Sequence, residues 1–109
     1  MYRASDPLPG SDVLAPWAND PFLYPAVVVE IANDHALVAY WEGDSAFVPL
    51  EALRVPRFTP GDAVAVNWKN AGQYWPAVIV ARVGGAVQVR YDSDGSLGWT
   101  TFAKCRVPA

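Results

Sequence analysis

The sequence predicts an all-β fold built from two tandem copies of one small, five-stranded barrel. Three observations carry this. Apolar residues alternate with others over short runs, the period of half-buried strands. Turn residues separate the runs, with Asn33-Asp34 and Gly84-Gly85 placed as hairpin turns. The chain also repeats itself. Val13, Trp17, Asn19, Tyr24, Pro25, Ala26, Val38 and Tyr40 recur 51 positions later as Val64, Trp68, Asn70, Trp75, Pro76, Ala77, Val89 and Tyr91. One extra residue in the second copy then moves the offset to 52. It pairs Gly43 with Gly95, Phe47 with Trp99, Leu50 with Phe102, Arg54 with Arg106, and Pro56 with Pro108. Repetition of this length marks a duplicated structural unit.

Residues 1–9 hold Asp6-Pro7-Leu8-Pro9 and no periodicity, and read as a flexible lead-in. The first copy spans 10–56. Its first strand is expected over 13–17, ending on Trp17, with a polar loop at 18–23. A long second strand covers 24–32, with Pro25 near its start, where a missing N–H is tolerated. After Asn33-Asp34 the third strand covers 35–41, and Glu42-Gly43-Asp44 breaks it. The fourth strand covers 45–49, a single helical turn 50–53, and a short last strand 54–55. Residues 57–60, with Pro56 and Pro60 at either end, read as a short linker between packed or semi-rigid units. The second copy spans 61–108, with strands at 63–68, 74–83, 86–92 and 97–101, a turn near 102–105, and a last piece at 106–107. Five short, bent strands in about 50 residues close most easily into an SH3-like barrel.

Composition narrows the function. The chain has 109 residues and is 52% hydrophobic, a globular composition. Units of about 50 residues bury modest cores, so two of them are expected to lean on each other. The net charge of −3 argues against a phosphate-binding surface, because nucleic-acid affinity rests on Lys and Arg neutralising phosphates. It suits a basic partner. Cys105 stands alone, so it supports neither a disulfide framework nor a cysteine zinc site. His35, the single histidine, falls beside a turn and cannot serve a Ser-His-acid set. No phosphate-loop motif occurs, and Asp92-Ser93-Asp94-Gly95 lacks the remaining ligands of a calcium loop. The expectation is a non-enzymatic binding module with no cofactor and no metal. No secretory leader and no apolar run of about 20 residues is present, which points to an intracellular chain with no membrane role.

The stretch from Trp68 to Trp99, with Y-W-P-A-V-I-V, V-Q-V-R-Y, D-S-D-G and W-T-T-F following V-A-V-N-W, resembles a Tudor or Agenet domain of the Royal superfamily. The first copy matches as V-L-A-P-W, L-Y-P-A-V-V-V, A-L-V-A-Y, W-E-G-D and F-V-P-L. The resemblance covers about 10–108. It implies a chromatin-reader-type module whose aromatic cage takes methylated lysine or arginine on a basic peptide, a histone tail if the source is eukaryotic. The compartment would then be the nucleus, or the cytoplasm in a bacterium. Carried over by position, the second cage is Trp68, Trp75 and Tyr91, with Asp94 where family members often place another aromatic and Ser96 near the usual polar position. The first is Trp17, Tyr24 and Tyr40, with Glu42 in the loop and Asp44 at the polar place. Several π faces around a diffuse cation supply attraction of about 0.5–2 kcal/mol each when desolvated. The acid in place of the fourth aromatic favours lower methylation states, since it accepts from a remaining N–H.

Neighbouring aromatics on a strand face opposite ways. Tyr74 therefore points away from Trp75, and Trp41 away from Tyr40, as candidates for interface contacts. Trp99 and Phe47 are expected in the core rather than in a cage, and Arg82 and Arg90 on a solvated face. Two other functions fit a small barrel: a docking module that reads no methyl mark, and, with the acidic balance against it, a nucleic-acid binder.

Overall fold

The computed structural model describes residues 7–67 and 73–108. Among these the chain is antiparallel β-structure with two short 3-10 turns and no α-helix. It divides into two compact units, with the break between Pro56 and Arg57.

In the first unit, β1 (Asp12–Pro16), β2 (Phe22–Ala32), β3 (His35–Tyr40) and β4 (Ser45–Pro49) form a meander, each strand paired with the next. A 3-10 turn, Leu50–Ala52, follows. The expected last strand is a single bridge, Leu14 to Arg54, with both N–H groups donating across it at 2.9 and 3.0 Å. The second unit repeats the plan with β5 (Ala63–Asn67), β6 (Tyr74–Val83), β7 (Ala86–Tyr91) and β8 (Leu97–Thr101). The 3-10 turn Phe102–Lys104 and β9 (Cys105–Pro108) complete it, and β9 pairs with β5.

Matching features recur at matching positions. The long strands β2 and β6 each carry a register shift, between Val28 and Glu30 and between Ile79 and Ala81. Such a bulge bends a strand, so that its two halves serve different neighbours. The β2–β3 turn holds Asn33 at φ +56°, and the β6–β7 turn holds Gly84 at φ +57°. Both residue types tolerate this left-handed region. The alternation read from the sequence sets the two interiors. Val13, Leu14, Ala26, Val28, Ala36, Val38 and Val48 are buried in the first unit. Val64, Val66, Ala77, Ile79, Val87, Val89 and Cys105 are buried in the second.

Three expectations change. The lead-in does not reach Pro9: Leu8 N–H donates to the Ser11 hydroxyl, and Ser11 N–H returns to Leu8 O. Thr59 and Asp62 build the same turn in the second unit, and Gly10 and Gly61 donate to Val28 O and Ile79 O respectively. Each unit thus starts with a clasp on its long strand. Second, residues 57–60 are not merely a linker, because Phe58 is buried in the second unit. It packs edge-on against Phe102 with centroids 5.5 Å apart, and the Arg82 guanidinium sits over its ring at 5.9 Å. Arg82 is tied down further by donating to Arg57 O and Gly84 O. Phe58 takes φ +45°, a conformation costing roughly 1–2 kcal/mol, which burial of its ring offsets at about 1.5–3 kcal/mol.

The third change concerns Trp99 and Phe47, which are not core residues; each is 58% exposed. In β8 the inward positions are Gly98 and Thr100, opposite the buried Val89 and Val87. In β4 they are Ala46 and Val48, opposite Val38 and Ala36. The small or β-branched residues fill the interior, and the pleat turns the bulky rings outward.

Candidate functional site

In the second unit, the start of β6 and the end of β7 meet the loop that leads into β8. A hydrogen bond from Asp92 N–H to Pro76 O fixes this junction at 3.1 Å. Tyr91 N–H donates to Ser96 O and Gly95 N–H to Tyr91 O, folding residues 92–95 into a tight turn. Gly95 takes φ +73° there. The result is a pocket of about 250 Å³ lined by Trp75, Tyr91, Ser93, Asp94 and Ser96.

Four of the five residues assigned to the second cage therefore line one cavity. The fifth, Trp68, lies outside the described residues. Trp75 and Tyr91 are half-buried, so each ring is held by the unit yet still reaches solvent. Tyr74 faces the opposite side of β6, as the alternation requires, and its ring lies 3.9 Å from the Arg106 guanidinium carbon.

The polar side of the pocket is anionic. Ser96 N–H donates to Asp94 Oδ1 at 2.9 Å. Hydrogen bonds from the Ser96 backbone and hydroxyl hold the Asp94 carboxyl below its ordinary value. Hydrogen bonds to a carboxylate favour the charged form, so Asp94 carries a full negative charge at neutral pH. Tyr91 titrates above its usual value, first because burial disfavours the phenolate and second through Cys105. It stays a neutral aromatic wall. Cys105 itself is buried, with its thiol pushed up to about 12 by desolvation.

Two contributors escaped the sequence reading. Ser93 joins the lining. Gly98 on β8 passes beneath Tyr91: a Cβ there would sit 3.3 Å from Tyr91 Cε2. The Tyr91 ring occupies the space that a side chain at position 98 would need. The signal was the contrast with Ala46, its counterpart in the first copy.

The first unit uses its matching aromatics differently. Tyr24 is buried, and its hydroxyl donates to Asp20 Oδ2 at 2.7 Å, while Phe22 N–H donates to the other oxygen of the same carboxylate. Tyr40 is buried, and its hydroxyl donates to Pro16 O. Burial also raises the Tyr40 pKa. Trp17 packs against Tyr40 at 5.0 Å and 76°, an edge-to-face contact. Glu42 and Asp44 are exposed in the loop beyond Tyr40. Here the rings contact one another and the strand ends, and both phenols have partners. Trp41 stands outside this cluster, 55% exposed. Among the described residues, no three His, Cys, Asp or Glu side chains converge on a metal position.

No protein-family model matches the chain, and no curated protein matches it. Solved structures do. The tandem tudor domains of Crb2 superpose with a TM-score of 0.64 at 15% identity, over 96% of this chain and 82% of that one. The Arabidopsis thaliana AGDP1 AGD34 structure gives 0.46 at 17% identity, over 92% and 81%. The ADCP1 tandem Agenet domain 3-4 gives 0.44 at 17% identity, over 92% and 79%. The sequence resemblance and the Crb2 superposition agree on the architecture: this chain has a tandem Tudor-like, all-β fold.

Proposed function

We propose that the second unit is a reader of a basic peptide, taking one methylated lysine or arginine side chain into the pocket between Trp75 and Tyr91. The observation that carries this reading is the pairing of two half-exposed π faces with an ionised carboxylate around one cavity. An alkylated ammonium needs those two surfaces: rings for its methyl groups and diffuse charge, and an acceptor for any N–H left. Asp94 makes mono- or dimethyl-lysine a better ligand than trimethyl-lysine, which has no N–H to donate. The first unit serves as scaffold in this reading, since its Tyr24 and Tyr40 are buried.

Titration with a peptide series carrying unmodified, mono-, di- and trimethyl-lysine, and with its methyl-arginine counterpart, tests the proposal. Trp75 indole and Tyr91 ring resonances should shift, most strongly with mono- or dimethyl-lysine or with methyl-arginine. Trp75→Ala should weaken binding by about tenfold, the loss of roughly 0.5–2 kcal/mol of cation–π attraction. Silent resonances at millimolar ligand would sink the reading. A docking module indifferent to methylation is the competing assignment, favoured by the exposed Leu97, Trp99 and Phe47. Binding unchanged by Trp75→Ala and by demethylation would establish it.

A further inference from the structure

The pocket adjoins a strand at the edge of the sheet: Ser96 lines it, and β8 begins at the next residue. Among the described residues β8 pairs only with β7. The ladder between them is fixed at both ends, by Tyr91 N–H to Ser96 O and by Phe102 N–H to Gly85 O. In an antiparallel ladder, bonded and non-bonded pairs alternate. Bonded pairs are therefore Tyr91 with Ser96, Val89 with Gly98, Val87 with Thr100, and Gly85 with Phe102. Leu97, Trp99 and Thr101 fall in between and aim their backbone groups away from β7. Among the described residues, the Thr101 carbonyl also accepts from the Cys105 thiol at 3.5 Å.

The matching strand of the first unit has the same parity but not the same edge. There the outward-aimed residues are Ser45, Phe47 and Pro49. Pro49, which matches Thr101, has no N–H. Proline on an edge is a standard block to strand addition. The first unit's edge thus lacks the donor that the second unit's edge carries at the matching position. Leu97 and Trp99 flank the second unit's edge with exposed apolar side chains, 61% and 58% accessible.

We propose that β8 receives an extended segment of a basic peptide as an added strand, and that the same peptide delivers its cationic side chain to the Trp75–Tyr91 pocket. This rests on the reading of the pocket given above and adds how the rest of the peptide is held. Continuity and charge argue for a basic peptide over a second copy of this chain. Ser96, the last pocket residue, immediately precedes Leu97, the first edge residue. The acids Asp92 and Asp94 stand at that end of the strand, and the chain is itself acidic, at −3. Backbone pairing supplies affinity with little sequence demand, and Leu97 and Trp99 favour a β-branched or aromatic residue next to the cation.

The test separates the two layers with two probes. One is Nα-acetyl dimethyl-lysine amide, which reaches the pocket alone. The other is a short peptide with one dimethyl-lysine flanked by alternating valine and arginine. Thr101→Pro introduces the sister strand's proline; Pro49 sits at φ −61° and Thr101 at φ −116°, so the backbone at position 101 must turn toward the proline value. Unchanged circular dichroism of the variant checks the fold. Peptide affinity should fall about tenfold in this variant, the loss of one intermolecular hydrogen bond and its alignment, while the amide probe binds as before. A peptide N-methylated on alternate backbone nitrogens should lose affinity in one of the two registers with no change to the protein. On binding the unmodified peptide, Leu97 and Trp99 amides should gain protection from hydrogen exchange. Peptide affinity indifferent to both Thr101→Pro and N-methylation overturns the edge proposal while leaving the pocket intact. Failure of the peptide to bind at all overturns it as well, and silence from both probes removes the pocket reading too. Self-association through β8, abolished by Thr101→Pro, would assign the edge to a second copy and also overturn it.

Discussion

Truncating Phe58 is the sharpest test of where the second unit begins. The ring is 3% exposed, lies edge-on to Phe102 at 5.5 Å, and sits beneath the Arg82 guanidinium. Replacing a buried Phe with Ala costs about 3–5 kcal/mol, cavity term included. Alanine keeps a side chain at φ +45°, so the substitution relieves no backbone strain. A folded unit of about fifty residues holds roughly 3–8 kcal/mol in total, at about 0.05–0.15 kcal/mol per residue. Phe58→Ala should therefore remove much or all of the stability of the second unit. Phe58→Leu, which keeps most of the apolar volume, should cost about 1–2 kcal/mol. Urea unfolding gives the free energies, and hydrogen-exchange mass spectrometry of peptides from β5–β9 shows where protection is lost. A loss below about 0.5 kcal/mol, the range of ordinary surface substitutions, with β5–β9 protection unchanged would refute the argument. Phe58 would then be a connector residue only.

Other outcomes follow from single contacts. Gly98→Ala places a methyl carbon 3.3 Å from Tyr91 Cε2 and should displace the ring by a few tenths of an ångström. Tyr91 ring resonances should shift in the free protein, and cation binding should weaken a few-fold. Tyr24→Phe removes a hydrogen bond to the Asp20 carboxylate and should destabilise the first unit by about 1–2 kcal/mol in thermal or urea unfolding. Cys105 gives an alkaline signature. Its folded pKa is about 12 against an ordinary 9.0, so its contribution is complete below pH 9.0 and is lost as pH rises toward 12. The slope is up to about 1.4 kcal/mol per pH unit for one group. Cys105→Ala should flatten the part of the alkaline stability curve that Tyr40 and Tyr91 do not cause, and native Cys105 should react with thiol reagents only on unfolding.

The strands were legible because alternation and turn residues agree along both copies. A repeat also tests each assignment against its twin. The inside–outside choice on β4 and β8 was not legible from residue size, since the sequence places a large aromatic on each. Deciding it requires register: Val89 opposite Gly98 and Val38 opposite Ala46 claim the interior with small partners. Phe58 was hidden because an apolar residue between prolines has no period to announce it. The available signal is Leu8-Pro9-Gly10-Ser11 against Thr59-Pro60-Gly61-Asp62, an offset of 51 that carries the repeat upstream of Gly10. At the site, Trp75, Tyr91, Asp94 and Ser96, singled out by residue type and position, line one cavity. Residue types did not reveal that the first copy secures its two phenols with Asp20 and Pro16 O. That depends on a loop carboxylate and a backbone carbonyl whose positions only the folded chain defines.

The clasp that opens each repeat has a practical corollary for dissecting this molecule. A fragment meant to carry the second half alone should start no later than Arg57. One cut at Gly61 keeps every strand yet discards the ring that stoppers the interior and the carbonyl that Arg82 grips. Its failure to bind a ligand would then reflect a missing stopper rather than an incompetent pocket.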